Sequence, residues 1–177
     1  MKKYFLLITT IALFTSSLLK ADWKLKTQKN SKTDEIVNIA YTNSKEGYTF
    51  SIFKLKNSEP IWASFSLPET TSDLISGENP LLYRIDENKY NNTSLVISIG
   101  EVIDKVFYEW QPKWVNFALM FRIQPKIEDN RKDSPLGTVM NGNNVVVRYY
   151  LASGGYKDIS FSLKGSYSAI KKALKMH

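Results

Sequence analysis

Histidine, cysteine and serine–lysine pairs are the residues from which this sequence could build a catalytic or metal site. The single histidine, His177, is the last residue of the 177-residue chain. Chain termini are commonly frayed, so neither a Ser-His-Asp arrangement nor a histidine-based metal site is expected around it. The chain has no cysteine, which excludes thiol catalysis, thiolate metal sites and disulfides. We therefore predict no metal site and no cofactor.

Two matches to Ser-x-x-Lys occur, Ser51/Lys54 and Ser168/Lys171. In penicillin-recognising enzymes this motif begins a helix and places the lysine beside a serine nucleophile. Ser51 lies in a predicted strand, where residues three apart face opposite sides. Ser168 lies in a predicted helix, but the companion motifs Ser-Asp-Asn and Lys-Thr-Gly are absent. We interpret both matches as chance and predict no catalytic residue.

Carboxylates cluster loosely at Asp86/Glu87, Glu101/Asp104 and Glu109. Two carboxyl groups facing each other across a cleft can hydrolyse a glycosidic bond. A carboxylate-dependent hydrolase acting on envelope or host polymers is therefore an alternative. Charged side chains in turns are more often simply solvated, and this interpretation is preferred. The sequence thus favours a protein that is not an enzyme.

The first 21 residues have the layout of a secretory signal peptide. Lys2 and Lys3 form a basic start, residues 4–19 are uncharged and mostly apolar, and Ala21 supplies a small residue for cleavage. The apolar stretch is broken by Ser and Thr and is short for a membrane span of about 20 apolar residues. We expect cleavage after Ala21, a periplasmic or secreted location in a Gram-negative bacterium, and no integral membrane segment in 22–177.

The charge of the chain is mildly basic. Its formal net charge of +7 falls to +4 when Lys2, Lys3 and Lys20 are removed with the signal peptide. An exported chain does not meet nucleic acid, so we predict no nucleic-acid partner. A protein partner or weak attraction to an anionic surface is left open.

Apolar residues alternate with period two in many short segments after residue 22, which is typical of half-buried strands. The clearest segments are 23–28, 35–42, 48–55, 61–67, 81–86, 93–99, 113–123, 145–151 and 158–164. The last two flank Gly154-Gly155 and predict a β-hairpin. This pattern predicts an all-β, mainly antiparallel fold: a β-sandwich or flattened barrel of about eight strands in one domain, 22–177.

Helices are expected only late in the chain. Gly165 ends the hairpin, and Ser166 is expected to cap a C-terminal helix that runs to Met176. Residues 135–140 are expected to form one helical turn. Residues 68–80 read as the first long loop. Arg84 and Asp86 share a strand face, where we expect a structural ion pair, with each other or across the sheet; ligand binding is the alternative.

Outward-facing aromatic and basic residues are the candidate binding site. Alternation places Trp62, Tyr150 and Tyr156 on outward faces, with Arg148 on the face of Tyr150 and Lys157 beside Tyr156 at the hairpin tip. Cations beside exposed aromatic rings are common in interfaces. We predict that these five residues bind a protein partner or an anionic surface. The alternative is that this outward side is a second buried face.

Parts of the sequence resemble known exported families. The first set of matching residues is Asp22-Trp23, Gly142, Val145-Val146-Val147-Arg148-Tyr149, Phe161-Ser162-Leu163-Lys164-Gly165, Ala169 and Leu174. It resembles the invasion-associated locus B family, which consists of small exported proteins of Gram-negative bacteria that are linked to entry into host cells. The segment Leu82-Tyr83-Arg84-Ile85-Asp86 is instead similar to the VasI proteins of type VI secretion. Neither resemblance implies catalytic residues.

The expected function follows from the predicted export, the exclusions and this resemblance. We expect a non-enzymatic envelope protein that acts as a binding or host-interaction module associated with virulence. A periplasmic accessory of a secretion system is the first alternative. The carboxylate-dependent hydrolase is the second.

Overall fold

Two antiparallel sheets and two helices make up the described part of the protein in the computed structural model. The structure describes residues 22–29, 35–56, 58–76, 79, 81–89, 91–92, 118–124 and 132–176. The strands are β1 Lys24–Lys29, β2 Ile36–Asn43, β3 Thr49–Lys54, β4 Ile61–Ser66, β5 Leu82–Ile85, β6 Asn91–Asn92, β7 Ala118–Gln124, β8 Asn144–Tyr150 and β9 Tyr156–Ser162. The helices are α1 Pro135–Asn141 and α2 Ser166–Ala173. The predicted signal peptide and the predicted strand at 93–99 lie outside the described residues.

The first sheet has the order β1-β2-β3-β4-β7, and the second has the order β6-β5-β8-β9. All pairings between neighbouring strands are antiparallel. From β1 to β4 each strand pairs with the next one along the chain. β7 then joins β4, and β5 joins β8, so distant parts of the chain complete both sheets. The prediction of an all-β, mainly antiparallel fold is confirmed.

Aromatic side chains fill the space between the two sheets. The rings of Phe65 on β4 and Tyr149 on β8 are 5.2 Å apart between centroids. Those of Tyr83 on β5 and Phe121 on β7 are 5.3 Å apart. All four residues are buried. Because separate sheets meet face to face across this core, the architecture is that of a sandwich.

Part of the other side of the first sheet is also buried. Ala63 and Phe65 of β4 face the second sheet, and Trp62, just before Ala63, faces away. Trp62 is nevertheless only 3% exposed, as is its cross-strand neighbour Phe53 at 6%. Its indole N–H donates a hydrogen bond to Ser58 Oγ at 3.3 Å. The prediction that Trp62 lies on an exposed binding surface is therefore wrong. Alternation assigns a residue to one side of a sheet, but it does not tell whether that side is covered.

The C-terminal helix α2 closes the core beside β2 and β3. Its buried apolar side chains are Ala169, Ile170, Ala173 and, just beyond the helix, Leu174. These positions lie on one helical face, as a surface helix requires. No helix in the described ranges is long and apolar enough to cross a membrane.

Ser166 does not cap α2 in the predicted way. The N-cap is Gly165, whose φ of 86° is readily adopted only by glycine, and no side chain caps the helix. Ser166 instead donates its hydroxyl to the carbonyl oxygens of Val139 at 3.0 Å and Met140 at 3.2 Å. The hydroxyl therefore ties α2 to the last turn of α1. The helix also ends at Ala173 and not at Met176.

The predicted helical turn at 135–140 is confirmed as α1. Ser134 caps it by accepting a hydrogen bond from the backbone N–H of Gly137 at 3.0 Å, and Pro135 occupies the start of the helix, where its missing N–H is not needed. Gly142 ends the helix close to the second sheet. A Cβ atom at Gly142 would lie 2.5 Å from Cγ2 of Ile85, so only glycine lets this turn approach β5.

Candidate functional site

The β8–β9 hairpin carries four of the five predicted binding residues. Its strands pair without interruption from Asn144–Ser162 to Tyr150–Tyr156. The turn is closed by a hydrogen bond from the Leu151 N–H to the Gly155 carbonyl at 3.1 Å. The predicted hairpin is confirmed, but β9 begins at Tyr156, two residues earlier than predicted. Tyr156 and Lys157 are therefore strand residues whose side chains point to opposite sides.

Three of the predicted residues meet on the outer face of the hairpin. Arg148 forms a bidentate ion pair with Asp158 on the neighbouring strand, with both N–O distances at 2.7 Å. The guanidinium of Arg148 also lies 4.0 Å from the centroid of the Tyr156 ring. Tyr150 contacts the same ring edge-on at 6.1 Å. Tyr156 is 55% exposed, so the stack presents one large ring to the outside. We call Arg148, Tyr150, Tyr156 and Asp158 the hairpin face.

Lys157 lies on the other side of the sheet. It pairs in register with the buried Tyr149, so both side chains leave the sheet on the core side. Its ammonium forms an ion pair with Asp73 Oδ2 at 2.5 Å, and the Tyr149 hydroxyl donates to the same oxygen at 3.1 Å. The Tyr48 hydroxyl is 3.1 Å from that of Tyr149. The prediction that Lys157 joins the other four residues in one site is therefore wrong.

The contacts among Asp73, Lys157 and Tyr149 shift the pKa values of all three side chains. The hydrogen bond from Lys157 holds the pKa of Asp73 below its ordinary value, and the hydrogen bond from Tyr149 adds to this effect. The same contact raises the pKa of Lys157. Burial, followed by the neighbouring Tyr48 and Asp73, raises the pKa of Tyr149. Tyr149 is thus a neutral hydrogen-bond donor at physiological pH.

The segment 71–76 supports the hairpin from the side, although the sequence predicted only loop there. The backbone N–H of Ser76 donates to the Tyr150 carbonyl at 2.8 Å, and that of Ala152 donates to the Leu74 carbonyl at 2.9 Å. Ile75 forms a β-bridge with Leu151 and is buried, whereas Leu74 is 41% exposed. Leu74 therefore adds apolar area beside the hairpin face. The order Asp-Leu-Ile-Ser at 73–76 has no period-two alternation, so no pattern in the sequence marked this segment.

Asp86, one of the two described members of the predicted carboxylate clusters, has a structural role. The Asp86 carboxylate accepts hydrogen bonds from the backbone N–H groups of Asn143 at 3.0 Å and Asn144 at 2.8 Å. Arg84 donates to the Asp86 carbonyl oxygen at 2.9 Å, so its contact with Asp86 is to the main chain and not to the carboxylate. Glu87 is exposed. The remaining members lie outside the described residues: Glu101, Asp104 and Glu109.

Fold and site together define an antiparallel β-sandwich with a C-terminal helix and an aromatic, ion-paired hairpin face. Comparisons with protein-family models, with curated proteins and with solved structures find no match. Among the residues that the structure describes, no three His, Asp or Glu side chains are grouped so that they could hold a metal ion.

Proposed function

We propose that this chain is an exported, non-enzymatic binding protein of the bacterial envelope, and that its hairpin face contacts a protein partner. The observation that carries the proposal is the preformed stack in which Arg148 is held by Asp158 and covers part of the Tyr156 ring. Tyr and Arg are enriched among the residues that dominate binding energy in interfaces. The resemblance to the locus B family supports a partner on the host side.

The fixed geometry favours binding because little conformational entropy remains to be lost. Tyr156 has few rotatable bonds and is held between Tyr150 and Arg148. The bidentate pair with Asp158 fixes the orientation of the guanidinium. Ordering a side chain at an interface costs about 0.5–1.5 kcal/mol. Because these side chains are already ordered in the free protein, binding does not add this cost.

The charges favour a protein partner over an anionic surface at this position. Arg148 is neutralised by Asp158, and on the inner side Lys157 is neutralised by Asp73. An anionic surface is attracted by uncompensated positive charge. The hairpin instead offers an aromatic ring and directed hydrogen-bonding groups, which suit a protein surface.

A photo-reactive amino acid placed at Tyr156 in the bacterium that makes the protein, with and without host cells present, tests this proposal. Tyr167 is the matched control, because it is an exposed tyrosine of similar exposure, 51% against 55%. We expect a discrete protein adduct from position 156 and none from position 167. The adduct should weaken when Arg148→Gln loosens the stack. Equal adducts at both positions, or none at 156, would contradict the proposal.

Export rests on the first 21 residues and has its own test. Mass spectrometry of the protein recovered outside the cytoplasm should show a chain that begins at Asp22. An intact N-terminus that is retained in the membrane fraction would argue against export as a free domain.

A further inference from the structure

The outer face of α2 is a second surface of distinctive composition. Five residues face away from the core, and together with Met176 they line an open groove of about 400 Å³: Tyr167, Ser168, Lys171, Lys172 and Lys175. Three of these five are lysines, and Tyr167 is 51% exposed. The buried and exposed faces of α2 are thus sharply separated, with apolar residues on one and cationic and aromatic residues on the other.

The positive charge on this face is uncompensated. The sequence from 159 to 177 contains no Asp or Glu. In the described structure, Lys171, Lys172 and Lys175 form no ion pair and no side-chain hydrogen bond. The cations of the hairpin differ in this respect, because Arg148 and Lys157 are each paired with a carboxylate. α2 and the residues just after it therefore carry three unpaired lysines within the five positions 171–175, with no carboxylate in the surrounding sequence.

Helix stability alone does not account for this arrangement. Lysines in the last turn interact favourably with the negative end of the helix dipole, which explains Lys171 and Lys172. However, the first turn of α2 has no acidic residue, although Glu four positions before Lys is the usual way to stabilise an exposed helix. Lys175 lies beyond the helix end, and the exposed ring of Tyr167 gains nothing from the dipole. A role outside the helix accounts for all of these features.

We propose that the outer face of α2 docks on the surface of an anionic lipid bilayer. The lysine side chain is flexible and carries a point charge, so it can pair with an anion in many geometries. This face has no arginine, the side chain that binds a carboxylate or phosphate in a fixed bidentate geometry. This suits a fluid layer of headgroups better than one defined ligand. Tyrosine is enriched at the boundary between membrane and water, where Tyr167 would lie beside the lysines. Each lysine close to an anionic surface adds attraction.

Chemical footprinting of lysines in the full chain tests the docking face directly. The chain is acetylated alone, with phosphatidylcholine vesicles, and with vesicles of equal parts phosphatidylcholine and phosphatidylglycerol. We expect labelling of Lys171, Lys172 and Lys175 to fall several-fold with the anionic vesicles only. Three exposed lysines elsewhere serve as internal controls and should keep their labelling: Lys45, Lys56 and Lys89. Equal protection of both sets, or no protection of the α2 set, would overturn the proposal.

A pair of matched triple variants gives the second readout. Lys171, Lys172 and Lys175 are changed to Gln in one variant, and Lys45, Lys56 and Lys89 are changed to Gln in the other, so both lose the same charge. Gln and Lys have similar helix propensity. We expect the ratio of anionic to neutral vesicle binding to fall roughly a hundredfold in the α2 variant and little in the control. The wild type and both variants have the same N-terminus, so its contribution to vesicle binding is the same in each. A difference in the ratio therefore reports the loss of positive charge.

An acidic protein segment is the other occupant that the experiment can detect. Polyglutamate is added in place of vesicles at equal total negative charge. Stronger protection of the α2 lysines by polyglutamate than by anionic vesicles would reject the bilayer and assign the face to an acidic polypeptide. Protection by vesicles with little effect of polyglutamate supports the proposal.

Discussion

Replacing Ile170 by alanine should measure how much α2 contributes to the stability of the domain. Ile170 is completely buried, and its helix packs beside β2 and β3. The change removes three side-chain carbons. At about 0.8 kcal/mol for each buried methylene, the transfer term is about 2.4 kcal/mol. The cavity left behind adds to this, so the expected loss lies within the range of about 2–5 kcal/mol found for such changes. Urea unfolding followed by circular dichroism measures it.

Tyr167→Ala on the opposite face of α2 is the control for this experiment. Because Tyr167 is 51% exposed, its loss should change the free energy of unfolding by less than about 1 kcal/mol. A cost below about 1 kcal/mol for Ile170→Ala as well would refute the reasoning. In that case α2 would be an appendage whose contacts contribute little, and the core would not depend on it.

Three further perturbations follow from contacts in the described structure. Gly142→Ala should destabilise the protein by about 1–3 kcal/mol in urea unfolding, because the new Cβ would clash with Ile85; wild-type stability would show that the turn can move. Ser166→Ala removes a buried donor to two α1 carbonyls and should lower the free energy of unfolding by about 1–3 kcal/mol. An unchanged melting temperature would show that these hydrogen bonds do not stabilise the contact between α1 and α2. The lowered pKa of Asp73 means that its pairing with Lys157 stabilises the fold above its unfolded pKa of about 3.9 and is lost as the pH falls through the lower folded pKa. The difference in unfolding free energy between wild type and Asp73→Asn should therefore be present at neutral pH and shrink in acid; a difference that is constant with pH would contradict this assignment.

Sequence patterns predicted the strands well because alternation reflects a local constraint. Burial on one side of a sheet imposes period two on each strand separately, and this was enough to find most of β1 to β5 and β7 to β9. Coverage of the second side depends on other parts of the chain, so the burial of Trp62 was not predictable. The hydrogen bonds of Ser166 were missed for the same reason, since its acceptors lie on α1, 26 and 27 residues away.

The candidate site was predictable only where it lies on one strand face. Arg148 and Tyr150 are two residues apart on β8, so alternation placed them together. Lys157 was misplaced because an error of two residues in the start of β9 turned a strand residue into a turn residue. Asp73 was not found at all, since it meets Lys157 across 84 residues of chain. Ion pairs between residues so far apart in the chain depend on the tertiary fold, and no pattern in the sequence around either residue indicates them.

The strand order has a consequence for how the chain folds. β1 to β4 and the β8–β9 hairpin pair with sequence neighbours, which requires closing only short loops and costs little entropy. The joining of β7 to β4 and of β5 to β8 must close long ones, and such nonlocal contacts are slow to form. Tyr48 and Tyr149, 101 residues apart, meet only when the two sheets dock. Because the chain has no cysteine, no disulfide holds the two sheets together, and their apolar inner faces stay exposed until docking occurs. That interval therefore carries the greatest risk of aggregation.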